Sequence, residues 1–211
     1  ETQPFRTTEQ EIPTTSCRDD SVRAFQQVPC RGAGGARPHC TILVGSLRAA
    51  SLNKIAARTA SEYLSYMCTV RSPDLGTLPL FNEDLEDPEP AEVSSLKENV
   101  RDSDLVIILT PEYNYGIPGV LKNAIDWLSR PIRNGSLIGR YVAIASVGPA
   151  SLTGDNVQAN LIQTCRALSD RVYPETLRIP LDRDSAMNDL GDKGTIDLYD
   201  CLAGLLQLTR R

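Results

Sequence analysis

The chain has 211 residues, 41% of them hydrophobic and 23% charged, with a formal net charge of −5. Such a length and apolar content suit one domain of ordinary size with an appendage. The acidic balance argues against nucleic acid or an anionic membrane as the main partner, since both reward clustered Lys and Arg. No apolar run approaches the roughly 18 residues of a spanning helix. Residues 1–10 are polar and acidic and do not read as a signal peptide, so a cytoplasmic protein with no membrane partner is expected.

Residues 1–39 mix Pro, Thr, Gln, Arg and Gly without periodicity, and the Gly-rich run 31–38 reads as a linker. A flexible N-terminal arm over 1–39 and a folded domain over 40–211 are therefore expected. Cys40-Thr41-Ile42-Leu43-Val44 is the first convincing strand. The loop Gly45-Ser46-Leu47-Arg48-Ala49-Ala50-Ser51-Leu52-Asn53 follows, and Leu52, Ile55, Ala56, Thr59 and Tyr63 mark one face of a helix. Residues 68–70 form a short second strand candidate. Acidic residues gather over 83–92 and suggest a solvated surface, with Glu89, Pro90 and Glu92 suited to start a helix facing inward through Val93, Leu96 and Val100.

Leu105-Val106-Ile107-Ile108-Leu109 is a continuous apolar run of strand length, as in a strand buried on both faces. The polar loop from Pro111 to Pro118 leads into a helix with Leu121, Ala124, Ile125 and Leu128 on one face, closed by Pro131. Tyr141-Val142-Ala143-Ile144-Ala145 predicts the fourth strand, residues 146–154 the loop after it, and Val157, Leu161, Ile162, Cys165 and Leu168 the next helix. A last strand over 172–179, a polar loop over 182–192 and a helix with Leu198, Leu202, Leu205 and Leu206 inward complete the chain. Alternation of this kind predicts an α/β fold with a doubly wound, mostly parallel sheet.

The six cysteines contain no Cys-x-x-Cys and their spacing is irregular. Cys40, Cys68 and Cys165 fall within apolar patterns and read as small buried hydrophobes. A zinc cluster of Cys30, His39 and Cys40 lacks a fourth ligand at sensible spacing. His39 is the single histidine, which leaves little for a His-based triad. Neither a metal nor a catalytic side chain is assigned.

Parallel strands all end at one edge of the sheet, so the three loops after strands one, three and four should converge there. The first loop has phosphate-binding character. Ser46, Ser51 and Asn53 offer donors, Gly45 lets the backbone come close, Arg48 adds a cation and the helix start adds unpaired N–H groups. From the loop alone, a solvent-facing Arg48 with Ser51 as an ordinary N-cap fits equally well. The loop lacks both the Walker pattern and Gly-x-Gly-x-x-Gly, which favours a mononucleotide. In the second loop Tyr113 and Asn114 could hold a flat ring, or simply cover the sheet edge. The Glu112 carboxylate would oppose negative charge on such a ring, so its backbone is expected to face the ligand.

The run Gly45-Ser46-Leu47-Arg48-x-x-Ser51-x-Asn53, followed by Pro111-Glu112-Tyr113-Asn114-x-x-Ile117-Pro118-Gly119-x-Leu121-Lys122-Asn123-Ala124-Ile125-Asp126-Trp127-Leu128-Ser129-Arg130, resembles the NADPH-dependent FMN reductase family. The resemblance implies a flavodoxin-like, three-layer α/β/α fold with a five-stranded sheet in the order 2-1-3-4-5 and non-covalent FMN. It places the phosphate on Ser46, Arg48, Ser51, Leu52 and Asn53, and the ring against Pro111, Glu112, Tyr113 and Asn114, with Ser146 and Gly148 from the third loop. It also implies NADPH or NADH as donor, a quinone or similar acceptor (flavin, azo compounds, metal oxyanions), and a homodimer or homotetramer. A flavodoxin-like carrier without NAD(P)H activity is the alternative, against which Arg48 speaks. Where relatives carry Gly-Gly-x-Arg-x-Gln, this chain reads Thr153-Gly154-Asp155-Asn156-Val157-Gln158.

Overall fold

The structure, a computed structural model, describes residues 37–149, 154–174, 176–181 and 190–208. Residues 1–36 of the expected arm lie outside them, as does most of the polar loop 182–192. His39, assigned to the arm, already belongs to the first strand. The elements are β1 (His39–Val44), α1 (Leu52–Ser65), β2 (Thr69–Arg71), α2 (Ala91–Arg101), β3 (Leu105–Leu109), α3 (Gly119–Leu128), β4 (Tyr141–Pro149), α4 (Asp155–Arg166), β5 (Leu177–Leu181) and α5 (Gly191–Leu208). All strand pairings are parallel, in the order β2-β1-β3-β4-β5. The expected doubly wound, flavodoxin-like sheet is what forms.

Its layers follow from side-chain alternation along the strands. Leu105, Ile107 and Leu109 of β3 join the core under α1 and α5, with Ala56, Ala60, Leu64, Leu198, Leu202 and Leu205. Val106 and Ile108 point the other way, into the core under α2, α3 and α4, with Leu96, Leu121, Ile125 and Leu161. Every residue of β3 is buried because both faces are covered, which is why that run carries no polar position. Cys40, Cys68 and Cys165 are buried, as expected. Burial pushes the Cys165 thiol up to about 12. Cys40 is also raised well above its usual value, first by burial and then by Cys68 and Asp104 nearby. Neither is a thiolate near neutrality.

Two strand boundaries differ from those expected by more than two residues. β4 continues through Ser146, Val147 and Gly148 to Pro149 rather than ending at Ala145, because β5 pairs with Ala145 to Pro149 and satisfies their backbone. β5 itself begins at Leu177, while Val172 makes only an isolated bridge to Val142.

The acidic stretch is solvated at Glu83, Asp84, Asp87 and Glu92, as expected, but Glu86 and Glu89 are half-buried and paired. The buried Lys97 side chain, 5% exposed, pairs with Glu89, whose other oxygen accepts from Ser94 Oγ at 2.8 Å. Arg130 Nε donates to Glu86 at 2.5 Å. Upstream, the Pro79 carbonyl accepts from Trp127 Nε1 at 2.9 Å and from Asn123 Nδ2 at 3.0 Å. These contacts strap the segment across α2 and α3, over the fully buried Trp127.

Burial alone would raise the Glu89 carboxyl, but hydrogen bonds from Lys97 and Ser94, with the charges of Lys97 and Arg101, hold it below its ordinary 4.5. A carboxylate depressed in the folded state contributes stability that is complete above its unfolded value and lost as pH falls through the folded one. Glu89→Gln should therefore cost about 2 kcal/mol in urea unfolding at neutral pH, because it leaves Lys97 buried opposite a neutral group. The gap to the parent should narrow as the pH falls below the ordinary carboxylate value of 4.5 and through the lowered one in the folded state. A variant as stable as the parent at neutral pH would show that the pair contributes nothing.

Candidate functional site

The first loop leaves β1 at Gly45, whose N–H donates to the Leu109 carbonyl at 2.8 Å. A Cβ there would lie 2.2 Å from Thr110 Oγ1 and 2.8 Å from Thr110 Cβ. The close approach of the end of β3 by itself requires a glycine here. The chain then turns at Ser51, the N-cap of α1, whose side chain makes no capping hydrogen bond. That observation sets aside the reading of Ser51 as an ordinary cap.

Of the first amides of α1, those of Lys54 and Ile55 reach the Ser51 carbonyl, at 3.0 and 3.1 Å. Those of Leu52 and Asn53 make no hydrogen bond among the described residues, as helix starts leave their first donors unpaired. The Asn53 side chain, expected as a ligand donor, is engaged elsewhere. Its Nδ2 donates to the Val147 carbonyl and its Oδ1 accepts from Val147 N–H, each at 3.1 Å. It bridges the first loop to β4. Arg48 is exposed and folds back to donate to the Ala50 carbonyl at 2.6 Å.

In the second loop, Tyr113 and Gly116 exchange backbone hydrogen bonds at 3.2 and 3.0 Å. Between them Asn114 and Tyr115 have φ of 50° and 61°. Two left-handed residues inside such a pair form a tight type I′ hairpin. Asn114 suits that turn and sits at its tip rather than in the cleft. Tyr115 occupies a position that costs an ordinary side chain about 1–2 kcal/mol. Tyr113, half exposed, places its Oη 3.4 Å from Ser46 Oγ. The Glu112 carboxylate turns to the start of α4, accepting from Asn156 Nδ2 at 3.1 Å and from Val157 N–H at 3.0 Å.

The third wall comes from the end of β4. Ser146 Oγ accepts from Gln158 Nε2 at 2.8 Å. Gln158, on the inner face of α4, also donates to the Leu177 carbonyl at 3.0 Å and accepts from Arg178 Nε at 3.2 Å. Arg178 in turn pairs with Asp155 at 2.5 Å. Gly154 has a φ of +72°, and a Cβ there would meet Ser146 Oγ at 2.6 Å. The sequence assigned Gln158 no role. Its signal was a buried amide on an otherwise apolar helix face.

These three walls enclose a cleft of about 320 Å³ lined by Ser46, Arg48, Ser51, Leu52, Asn53, Pro111, Glu112, Tyr113, Ser146, Val147, Gly148 and Gly154. Every residue expected at the site lies there except Asn114, and Val147 and Gly154 join them. Among the lining residues Arg48 is the sole cation and Glu112 the sole carboxylate. Among the described residues no cluster of His, Cys, Asp and Glu could hold a metal ion, and no helix is long and apolar enough to cross a membrane.

Residues 38–182 match the model of a family described as NADPH-dependent FMN reductase. A quinone reductase of Escherichia coli is 37% identical over 162 residues, covering 74% of this chain and 86% of that protein. A quinone reductase of Pseudomonas putida is 41% identical over 114 residues, covering 54% of this chain and 61% of its own length. The solved structure of a flavoenzyme NAD(P)H:(acceptor) oxidoreductase from Paracoccus denitrificans superposes with a TM-score of 0.73 at 27% identity, covering 82% of this chain and 97% of that one.

The Asn53 bridge makes a direct prediction. Asn53→Ala removes two hydrogen bonds and strands both polar groups of Val147 in a buried place, so it should lower unfolding free energy by about 2 kcal/mol. Urea titration measures this, and a loss below about 0.5 kcal/mol would mean that the bridge is incidental.

Proposed function

The chain belongs to the NADPH-dependent FMN reductase family, and from that premise we propose that it binds FMN in this cleft and passes electrons from NADPH or NADH to quinones or similar acceptors. The observation that carries the reading is the set of donors at the start of α1. The Ser51 hydroxyl does not cap its helix. The Leu52 and Asn53 amides point out of the helix start, and the dipole there favours an anion. A phosphate monoester, anionic and rich in acceptors, matches this set. Arg48, on the same loop, adds a cation able to bind two phosphate oxygens.

Bound there, FMN supplies the two-electron chemistry that links a nicotinamide donor to a separate acceptor. The chain's own part is to hold, orient and tune. Pro111, the Glu112 backbone and Tyr113 form one wall for the ring, and Ser146 and Gly148 the facing one. Asn114 contributes by closing the hairpin that presents Tyr113. The hydrogen bonds from Asn156 and Val157 hold the Glu112 carboxylate at α4, which keeps its charge off a ring that becomes more negative on reduction. No side chain is assigned a proton-transfer role.

The names of the two bacterial relatives support a quinone-like acceptor. Leu47, Tyr113 and Tyr115 are exposed apolar residues near the site and support a second subunit there, in a homodimer or homotetramer. Cys40 and Cys165, buried and outside any disulfide, support a reducing, cytoplasmic setting.

Purified protein should absorb near 450 nm, the approximate position of the oxidised flavin band, lose that band anaerobically with NADPH or NADH, and regain it with a quinone. Arg48→Ala should weaken FMN binding by about 1–3 kcal/mol. Colourless protein that cannot be reconstituted would contradict the reading, and a yellow protein that neither nucleotide bleaches would be an electron carrier instead.

A further inference from the structure

The protein dictates which way the Ser146 hydroxyl faces, and the cause lies on α4. Gln158 is only 2% exposed, so its amide must find its partners inside the protein. Arg178 Nε can only donate, and it reaches Gln158 Oε1 at 3.2 Å. The Leu177 carbonyl can only accept, and it lies 3.0 Å from Gln158 Nε2. Together these partners fix the amide in one of its two orientations. Arg178 is itself held by Asp155 at 2.5 Å. Of the two hydrogens on Nε2, one goes to Leu177 and the other to Ser146 Oγ, at 2.8 Å.

Ser146 is therefore an acceptor toward α4, and its own hydrogen is left to donate elsewhere. Its Oγ makes no second hydrogen bond among the described residues. On another side the close approach of Gly154, where a Cβ would lie 2.6 Å from Oγ, brings the start of α4 directly against this hydroxyl. Ser146 also lines the cleft, and that is the direction left for its hydrogen. A flavin ring lying against Ser146 presents carbonyl oxygens and ring nitrogens that accept hydrogen bonds and gain negative charge on reduction. A donor held on that edge binds the reduced ring more tightly than the oxidised one.

We propose that Ser146 donates to an acceptor on the flavin edge, that Gln158 is the positioning residue that keeps it a donor, and that the pair raises the reduction potential of bound FMN. This rests on the reductase reading, which puts the ring in this cleft. Three consecutive residues of α4 then act in the same direction. Asn156 and Val157 hold the Glu112 carboxylate at the helix start, and Gln158 presents the hydroxyl.

The test is the midpoint potential of the FMN-loaded full chain, from anaerobic titration against redox dyes, alongside the affinity for oxidised FMN from fluorescence quenching. Neither measurement needs a nicotinamide or turnover. Ser146→Ala should reduce the preference for reduced over oxidised FMN by about tenfold, which for a two-electron couple lowers the potential by about 30 mV. Gln158→Met, similar in shape but without the amide, should reduce that preference by about threefold to tenfold. The double variant should match Ser146→Ala, because Gln158 acts through that hydroxyl alone. A merely structural glutamine would weaken both oxidation states of FMN alike and leave the potential in place, and that result would overturn the proposal. So would a parental potential in Ser146→Ala, or shifts that multiply in the double variant. Protein that takes up no FMN would overturn the reductase reading and the proposal with it, whereas FMN bound at an unchanged potential in both variants refutes the proposal alone.

Discussion

Two hydrogen bonds between the Asn53 side chain and the Val147 backbone, each 3.1 Å and both buried, fix the distance between the first and third walls of the cleft. A short amide on the first turn of α1 reaches across the sheet edge and takes the place of a neighbouring strand. The first and second walls are fixed in turn by the approach of Gly45 to Thr110, so close that no side chain fits between them. The walls are therefore held by the protein's own contacts, and a ligand entering the cleft meets donors already in place. Preorganisation of that kind lowers the ordering cost of binding.

The same logic continues outward. Glu112 joins the second loop to the start of α4, and Gln158 joins α4 to both β4 and β5. In these contacts a buried or half-buried polar group is satisfied by a group of a different element, so each costs little desolvation and transmits position. One consequence is electrostatic. The cleft's carboxylate is tied to amide donors at a helix start, while its cation, Arg48, lies on an exposed loop and donates to the Ala50 carbonyl of that same loop.

Much of this was legible in the chain. A continuous apolar run identified β3, periodic Leu and Ala positions identified the helix faces, and the Ser46-to-Asn53 loop stood out by its donors ahead of a helix. What was not legible depends on partners distant in sequence. The extension of β4 to Pro149 has no apolar run to announce it, since its backbone is satisfied by β5, some thirty positions on by the pairing of Ser146 with Arg178. Glu89 and Glu86 looked solvated because Lys97 and Arg130 meet them only after α2 and α3 pack. Asn53 and Asn114 were read as ligand donors because an amide side chain looks the same whether it meets a ligand, a strand or a turn. The fold decides among these, and it gave Asn53 to Val147 and Asn114 to a hairpin tip.

The central claim is that the start of α1 is a phosphate site, and FMN against riboflavin tests it most directly. The two share the ring and differ by one phosphate. Titration of flavin-free protein, followed by quenching of flavin fluorescence, should find FMN bound at least about a hundredfold tighter than riboflavin, as several charge-assisted hydrogen bonds to one anion require. Equal affinity for the two would contradict the account, because the donors around Ser51 would then hold no phosphate.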